Sequence, residues 1–198
     1  MSELKKYKMF INGEWVDSES KKTFKSLNPE NNEPWAEVPE ASEKDVDKAV
    51  KAAQKAFEGT WPKLFPKERA KYLKAIAEQL RENAELLGKV ETIDTGKLFK
   101  ETKTQANYIA EYYDYYAGLA DKVEGTVLPI DKANMQVITT RVPIGVVAAI
   151  IPWNSQMLLT AVKLAPALAM GNTIVIKSSE LAPATLFEFA KLIEKTGI

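Results

Sequence analysis

"GVVAAIIPWNSQMLLTAVKLAPALAMGNTIVIK", residues 145 to 177, decides how this chain folds. It opens on an unbroken apolar run, Val146 to Ile151, and then meets Pro152, Trp153 and Asn154. "QMLLTAVKLAPALAMG" (156–171) reads as a helix, and "NTIVIK" (172–177) as a second strand. Apolar strands without polar alternation, joined by a helix, are what a parallel sheet covered on both faces requires. "APATLFEFAKLIEKTGI" (182–198) adds another helix, so the unit is βαβα, the opening of a doubly wound α/β sheet.

Pro152-Trp153-Asn154 follows a strand and precedes a helix. It therefore lies at the carboxyl edge of the sheet, where open α/β sheets place their ligands. An Asn amide held beside a Trp is a preorganised donor for an oxygen that gains negative charge during a reaction. The same Asn is suited to capping the helix that begins near Ser155, and spacing alone favours that plainer role. Lys177 ends the second strand and Glu180 follows three residues later. An acidic residue just past a strand can accept hydrogen bonds from a ribose diol, and a neighbouring Lys can donate to the same sugar. The plainer reading is a solvated charge pair, with Ser178 or Ser179 capping the next helix. No GxGxxG follows the first strand, so the usual dinucleotide fingerprint is absent.

Upstream, "MFINGEWV" (9–16) sets Asn12-Gly13 between two short apolar runs, the signature of a type I′ hairpin. "SLNPENNEP" (26–34) is turn-rich and is expected to form a surface loop. From Ser42 the pattern turns helical, with Asp45 three residues past the cap and a stripe of Val46, Ala49, Val50, Ala53 and Phe57. Pro66 suits the first turn of a helix whose stripe is Ala70, Leu73, Ile76, Ala77 and Leu80. A third helix carries Leu86, Leu87, Val90 and Ile93 and stops at Gly96, with Asp94-Thr95-Gly96 as its end. A fourth runs from about Lys100 to Gly118, with Ile109, Tyr112, Tyr113 and Tyr116 on one face, a core or subunit-packing stripe. "GTVLPI" (125–130) and "MQVITTRV" (135–142) are β-branched strands without a clean polar face, so they are expected to meet another surface. The organisation is thus 1–122, hairpin plus helices; 123–143, two strands; and 144–198, the parallel unit.

Composition narrows the function. The 198 residues carry 27 basic and 27 acidic side chains and 45% hydrophobic residues, so no net charge draws the chain to nucleic acid or an anionic membrane. With no Cys and no His, disulfides, a thiolate nucleophile and Cys/His zinc sites are excluded. The longest apolar run, "VVAAII" (146–151), is too short to span a bilayer, and "MSELKKYKMF" lacks the apolar stretch of a secretory signal. A cytoplasmic location is expected.

Taken in order, "FINGEWV", "NPENNE", "ETIDTGK", "RVPIGVVAAIIPWN", "KLAPALAMGNTIVIKSSELAP" and "IEKTGI" resemble the N-terminal part of the NAD(P)-dependent aldehyde dehydrogenase superfamily, over nearly the whole chain. The likeness is strongest to the branch that oxidises free aldehydes such as betaine aldehyde, retinal or short aliphatic aldehydes. It implies a Rossmann-like NAD-binding domain, with residues 123–143 as oligomerisation strands of a homodimer or homotetramer. It implies that Asn154 is the side-chain half of an oxyanion hole for a thiohemiacetal. Ile150, Ile151, Pro152 and Trp153 would line the cofactor cleft. Lys177, Ser179 and Glu180 would bind the cofactor, with Glu180 favouring NAD over NADP. Leu159 and Val162 would line the aldehyde tunnel that Lys163 helps to organise. Asp94, with the backbone oxygens of Leu27 and Leu181, would match a monovalent-cation site.

Ser155 and Gln156 depart from the family, many members of which have an aromatic and a proline there, and this opens the tunnel mouth. The resemblance also implies that the nucleophilic Cys, the general-base Glu, the glycine-rich pyrophosphate turn and the catalytic domain lie beyond Ile198. The chain alone is then expected to be inactive. The alternatives are a truncated, non-catalytic NAD-binding or oligomerisation module, and a partly folded structural fragment.

Overall fold

In the computed structural model, residues 4–198 are described; Met1 to Glu3, the start of the 1–122 segment, lie outside them. The chain begins with β1 (Lys5–Lys6), β2 (Met9–Ile11) and β3 (Glu14–Val16). β2 and β3 pair antiparallel around Asn12 (φ 55°) and Gly13 (φ 78°), the two left-handed residues a type I′ turn needs.

β4 (Thr23–Asn28) and β5 (Glu33–Pro39) come next, antiparallel to each other, with β1 parallel to β5 on the far side. The stretch 26–34 is therefore not a free loop. Its flanks are strand, and only the Pro-Glu-Asn-Asn tip turns, with Asn32 at φ 58°. The cluster of turn residues marked a hairpin, and buried Ser26, Ala36 and Val38 hold its strands against the helices.

α1 (Glu43–Glu58) starts where the pattern requires. The Asp45 carboxylate accepts from the Ser42 amide at 2.8 Å and its hydroxyl at 2.7 Å, and from Ser18 Oγ at 2.9 Å and the Glu19 amide at 3.1 Å. Burial alone would raise the Asp45 pKa; these donors outweigh it and hold the group at about 2. The predicted stripe is only partly covered: Val46 and Val50 are exposed, while Ala49, Ala53 and Phe57 are half-buried.

α2 (Pro66–Glu82) has Pro66 in its first turn, and the Phe65 amide donates to Glu68 Oε2 at 2.7 Å. α3 (Ala84–Thr95) ends at Gly96, whose φ of 76° is the left-handed stop. Its buried face is Ala84, Leu87, Val90, Glu91 and Asp94, not Leu86 and Ile93, which are exposed. α4 (Phe99–Leu119) buries Ile109 and Tyr113, while Tyr112 and Tyr116 pack half-buried with rings 5.1 Å apart. The tyrosine stripe is core packing.

β6 (Thr126–Leu128) and β7 (Val137–Thr139) form an antiparallel ribbon. Val127, Leu128, Ile138 and, beyond β7, Val142 are exposed, so among the described residues the ribbon is largely uncovered, with only Val137 half-buried.

β8 (Val146–Ile150), α5 (Gln156–Ala169), β9 (Thr173–Lys177) and α6 (Ala184–Lys195) complete the fold. β8 and β9 are parallel, in register from Val146 opposite Thr173 to Ile150 opposite Lys177. One face is buried, with Ala149 and Ile151 joining the main core beside α2, α4, α5 and α6. The other face is covered only in part, since α1 packs toward the amino ends while Ala148 and Ile150 stay exposed. The double covering that the apolar runs predicted is thus complete on one side alone. Among the described residues no helix is long and apolar enough to cross a membrane.

Candidate active site

The last ladder bond of the sheet runs from the Ile151 amide to the Lys177 carbonyl at 3.0 Å. Pro152 has no N–H to continue it, and the chain leaves in a short turn, Trp153–Ser155, before α5 begins. Lys177 ends the neighbouring strand. The register therefore brings Trp153-Asn154 and Lys177 to the same carboxyl edge.

Asn154 is exposed, and its side chain makes no hydrogen bond among the described residues. It does not cap α5: Ser155 is the N-cap. The capping alternative fails, because the extra turn pushes the helix start one residue on. An amide with two unused donors is left facing outward from the sheet edge. Ile150 at the end of β8 and Pro152 and Trp153 in the turn are exposed as well, and so is Leu181, four residues past the end of β9.

Ile151 differs from its expected place in the cofactor cleft. It is buried in the core, because alternation along the strand turns it opposite to Ile150. Lys177 and Glu180 form an exposed ion pair at 3.0 Å. The Glu180 amide and the Lys177 ammonium hold that carboxyl below its usual range. Ser179 is buried, and its hydroxyl accepts the Leu181 amide at 3.2 Å. Neither Ser178 nor Ser179 caps α6, whose N-cap position is Pro183.

Asp94 supplies that cap from a distance. Its Oδ2 accepts the Ala184 amide at 2.7 Å, while Oδ1 accepts Ser26 Oγ at 2.6 Å. Burial pushes its pKa up to about 6 against the pull of these hydrogen bonds. Both oxygens hold donors, so the structure uses Asp94 to join three elements. Among the described residues no group of three or more His, Cys, Asp or Glu is placed to hold a metal ion.

Leu159, Val162 and Lys163 share one half-buried face of α5, on the side away from buried Met157, Thr160, Ala161 and Leu164. Lys163 Nζ donates to the Leu159 carbonyl at 3.2 Å. Sequence reasoning missed Lys97, which reaches the site turn and donates to Ser155 Oγ at 2.6 Å. Its only local signal is the glycine before it: Gly96 reverses the chain at the end of α3 and returns Lys97 toward Glu91, 3.6 Å away.

A match to the aldehyde dehydrogenase family model runs over residues 15–198. The chain belongs to the aldehyde dehydrogenase family. It is 49% identical over 195 residues to (Z)-2-((N-methylformamido)methylene)-5-hydroxybutyrolactone dehydrogenase of Acinetobacter baylyi, covering 98% of this chain and 40% of that protein. It is 43% identical to betaine aldehyde dehydrogenase of Bacillus subtilis, covering 96% of this chain and 39% of that one. The fold superposes on betaine aldehyde dehydrogenase from Staphylococcus aureus in complex with NAD+, with TM-score 0.93 and 38% identity, over 96% of this chain and 38% of that one. It also superposes on 3,6-anhydro-L-galactose dehydrogenase in complex with NADP, with TM-score 0.93 and 30% identity, over 98% and 40%. The chain thus spans about 40% of the length of the curated relatives it matches.

Proposed function

We propose that this chain forms the N-terminal part of the cofactor-binding domain of an enzyme that oxidises an aldehyde to a carboxylic acid, with NAD as the cofactor and NADP as the second candidate. The observation that carries the reading is the Asn154 amide: exposed at the carboxyl edge, beside Trp153, with no partner among the described residues and no capping duty.

The residues present fit a dinucleotide. Ile150 and Leu181 offer exposed apolar surface, and the Glu180 carboxylate, ionised and open to solvent, can accept hydrogen bonds from a ribose diol while Lys177 donates to it. When bound, NAD supplies the electron acceptor for the oxidation. The chain's own residues bind and orient. Lys177 and Glu180 hold the sugar, and Leu159, Val162 and Lys163 wall the approach to the turn. Asn154 donates its side-chain N–H to the aldehyde oxygen as that oxygen becomes an alkoxide on attack by a thiolate. A donor fixed in advance stabilises that charge without reorganising, which is why its loss costs more in turnover than in binding. The thiol belongs to no residue of this chain, which has no Cys. The β6–β7 ribbon, with its uncovered apolar side chains, is the surface on which subunits would join.

In the complete enzyme, N154A is expected to lower kcat by about 100- to 1,000-fold with little change in KM. Unaltered turnover would remove Asn154 from the chemistry. The 198-residue chain alone is expected to oxidise no aldehyde with NAD+ or NADP+; any turnover would show that the nucleophile is not a missing thiol. The absence of Cys also favours a second reading, a non-catalytic module that binds NAD. Tight NAD binding by the chain in calorimetry would support that module over the enzyme part.

A further inference from the structure

Ser155 holds the N-cap position of α5, yet its side chain makes no capping bond. Its hydroxyl instead accepts Lys97 Nζ at 2.6 Å, from a residue 58 positions earlier in the chain. Two local preferences are set aside for this contact. A serine at N-cap is favoured because its oxygen satisfies a free amide of the first turn. A cation beside a helix N-terminus is opposed by the helix dipole.

The cation is tolerated because a carboxylate stands behind it. Glu91 Oε1 lies 3.6 Å from Lys97 Nζ, with only 2% of the Glu91 side chain exposed. Burial raises the Glu91 pKa while Lys97 opposes that rise, so the ionised carboxylate depends on the ammonium beside it. The result is a bridge from the last turns of α3, through the Lys97 ammonium, to the residue directly after Asn154.

The neighbours on both sides of the turn are also fixed. Ile151 is 2% exposed and Gln156 is wholly buried, whereas Pro152, Trp153 and Asn154 face solvent. Asn154 therefore sits on a short exposed arch, and the Lys97 bridge holds the foot nearest to it. A donor to a developing charge works only while its geometry is held, and a displacement of about 1 Å can cost as much as 100-fold in rate.

We propose that Lys97, backed by Glu91, is a positioning residue that sets the Asn154 amide through Ser155. The inference rests on the proposed role of Asn154, and its test separates the two. Four forms of the complete enzyme are compared, K97M, N154A, the double variant and K97R. The cofactor is NAD+, and the substrate is whichever of betaine aldehyde or a short aliphatic aldehyde the unaltered enzyme turns over faster. K97M is expected to lower kcat by about tenfold with KM nearly unchanged. K97R, which keeps the donor and the charge, restores most of that loss. In the N154A background K97M has no further effect on kcat, because the amide it positions is gone.

A K97M variant with full kcat overturns the proposal, and so does a loss that persists unchanged in the N154A background; in both cases N154A alone remains impaired. If N154A itself is fully active, the role of Asn154 falls first and the proposal falls with it. Should K97M fail to fold, S155A removes the acceptor from the other side of the bridge. It is expected to show the same drop in kcat, and full activity there counts against the bridge.

Discussion

At the amino edge of the β8–β9 pair the Asn172 amide is buried, and its Oδ1 accepts the backbone amides of Ile144 at 2.7 Å and Gly145 at 3.1 Å. Its Nδ2 donates to the Ala167 carbonyl at 3.3 Å, tying the entry of β8 to the end of α5. At the carboxyl edge of the same two strands the Asn154 amide is exposed and donates to nothing among the described residues. One residue type thus has two uses. Where both its oxygen and its nitrogen bond to backbone, the amide is part of the fold. Where they are left open on a pinned turn, it is available to a ligand.

The contrast is tested most severely at the amino edge. N172A would leave the buried Gly145 N–H without its acceptor, at a cost of about 1 to 3 kcal/mol, and would free the N–H of exposed Ile144 to water. A loss of about 2 kcal/mol in unfolding free energy is expected from urea titration, with a lower midpoint and an unchanged slope. A loss below about 1 kcal/mol would mean that the edge is held by its strand pairing and not by the amide.

The carboxyl edge is open above but anchored beneath, and the anchor is Asp94. Its pKa is about 6 in the folded chain against an ordinary 3.8. Between those values the folded state holds the proton that the unfolded state has released. Stability from this group is therefore present at low pH and is lost as pH climbs from about 4 to 6, by roughly 3 kcal/mol. Comparing the urea midpoints of the unaltered chain and D94N at pH 4, 5, 6 and 7 isolates that group. The unaltered chain is expected to fall relative to D94N up to pH 6 and then run parallel to it. A constant difference would show that Asp94 is ionised throughout and that its hydrogen bonds to Ser26 and Ala184 outweigh its burial.

Much of this was legible in the chain because it is written locally. Asn12-Gly13, the Ser42-Asp45 cap, Pro66 and Gly96 each impose a backbone geometry within a few residues, and each element starts or stops there. The βαβα unit is legible for the same reason, since apolar runs of that length and spacing have few other ways to be buried. Most of the misreadings are long-range. Whether Leu87 or Leu86 faces inward depends on where α4 lies. Residues 26–34 became a hairpin because β5 also has β1 to pair with. Asp94 caps a helix that begins 90 residues later, and Lys97 reaches across 58. At the site, the position of Asn154 was legible, but its freedom from capping was not, because that turns on one extra residue in the Trp153–Ser155 turn.

The smallest effects belong to the exposed groups of the carboxyl edge, and their smallness is what gives them force. Lys177 and Glu180 lie 3.0 Å apart with side chains 62% and 68% exposed. A pair so open to water and salt is screened and contributes little, so E180Q is expected to shift the urea midpoint hardly at all. N154A, which removes no hydrogen bond made within the described residues, is expected to stay within about 0.5 kcal/mol of the unaltered chain. A residue whose loss leaves stability untouched while turnover collapses is there for the reaction. If N154A instead destabilised the chain by as much as N172A does, the two amides would be serving the same structural purpose. The openness of the carboxyl edge would then say nothing about chemistry.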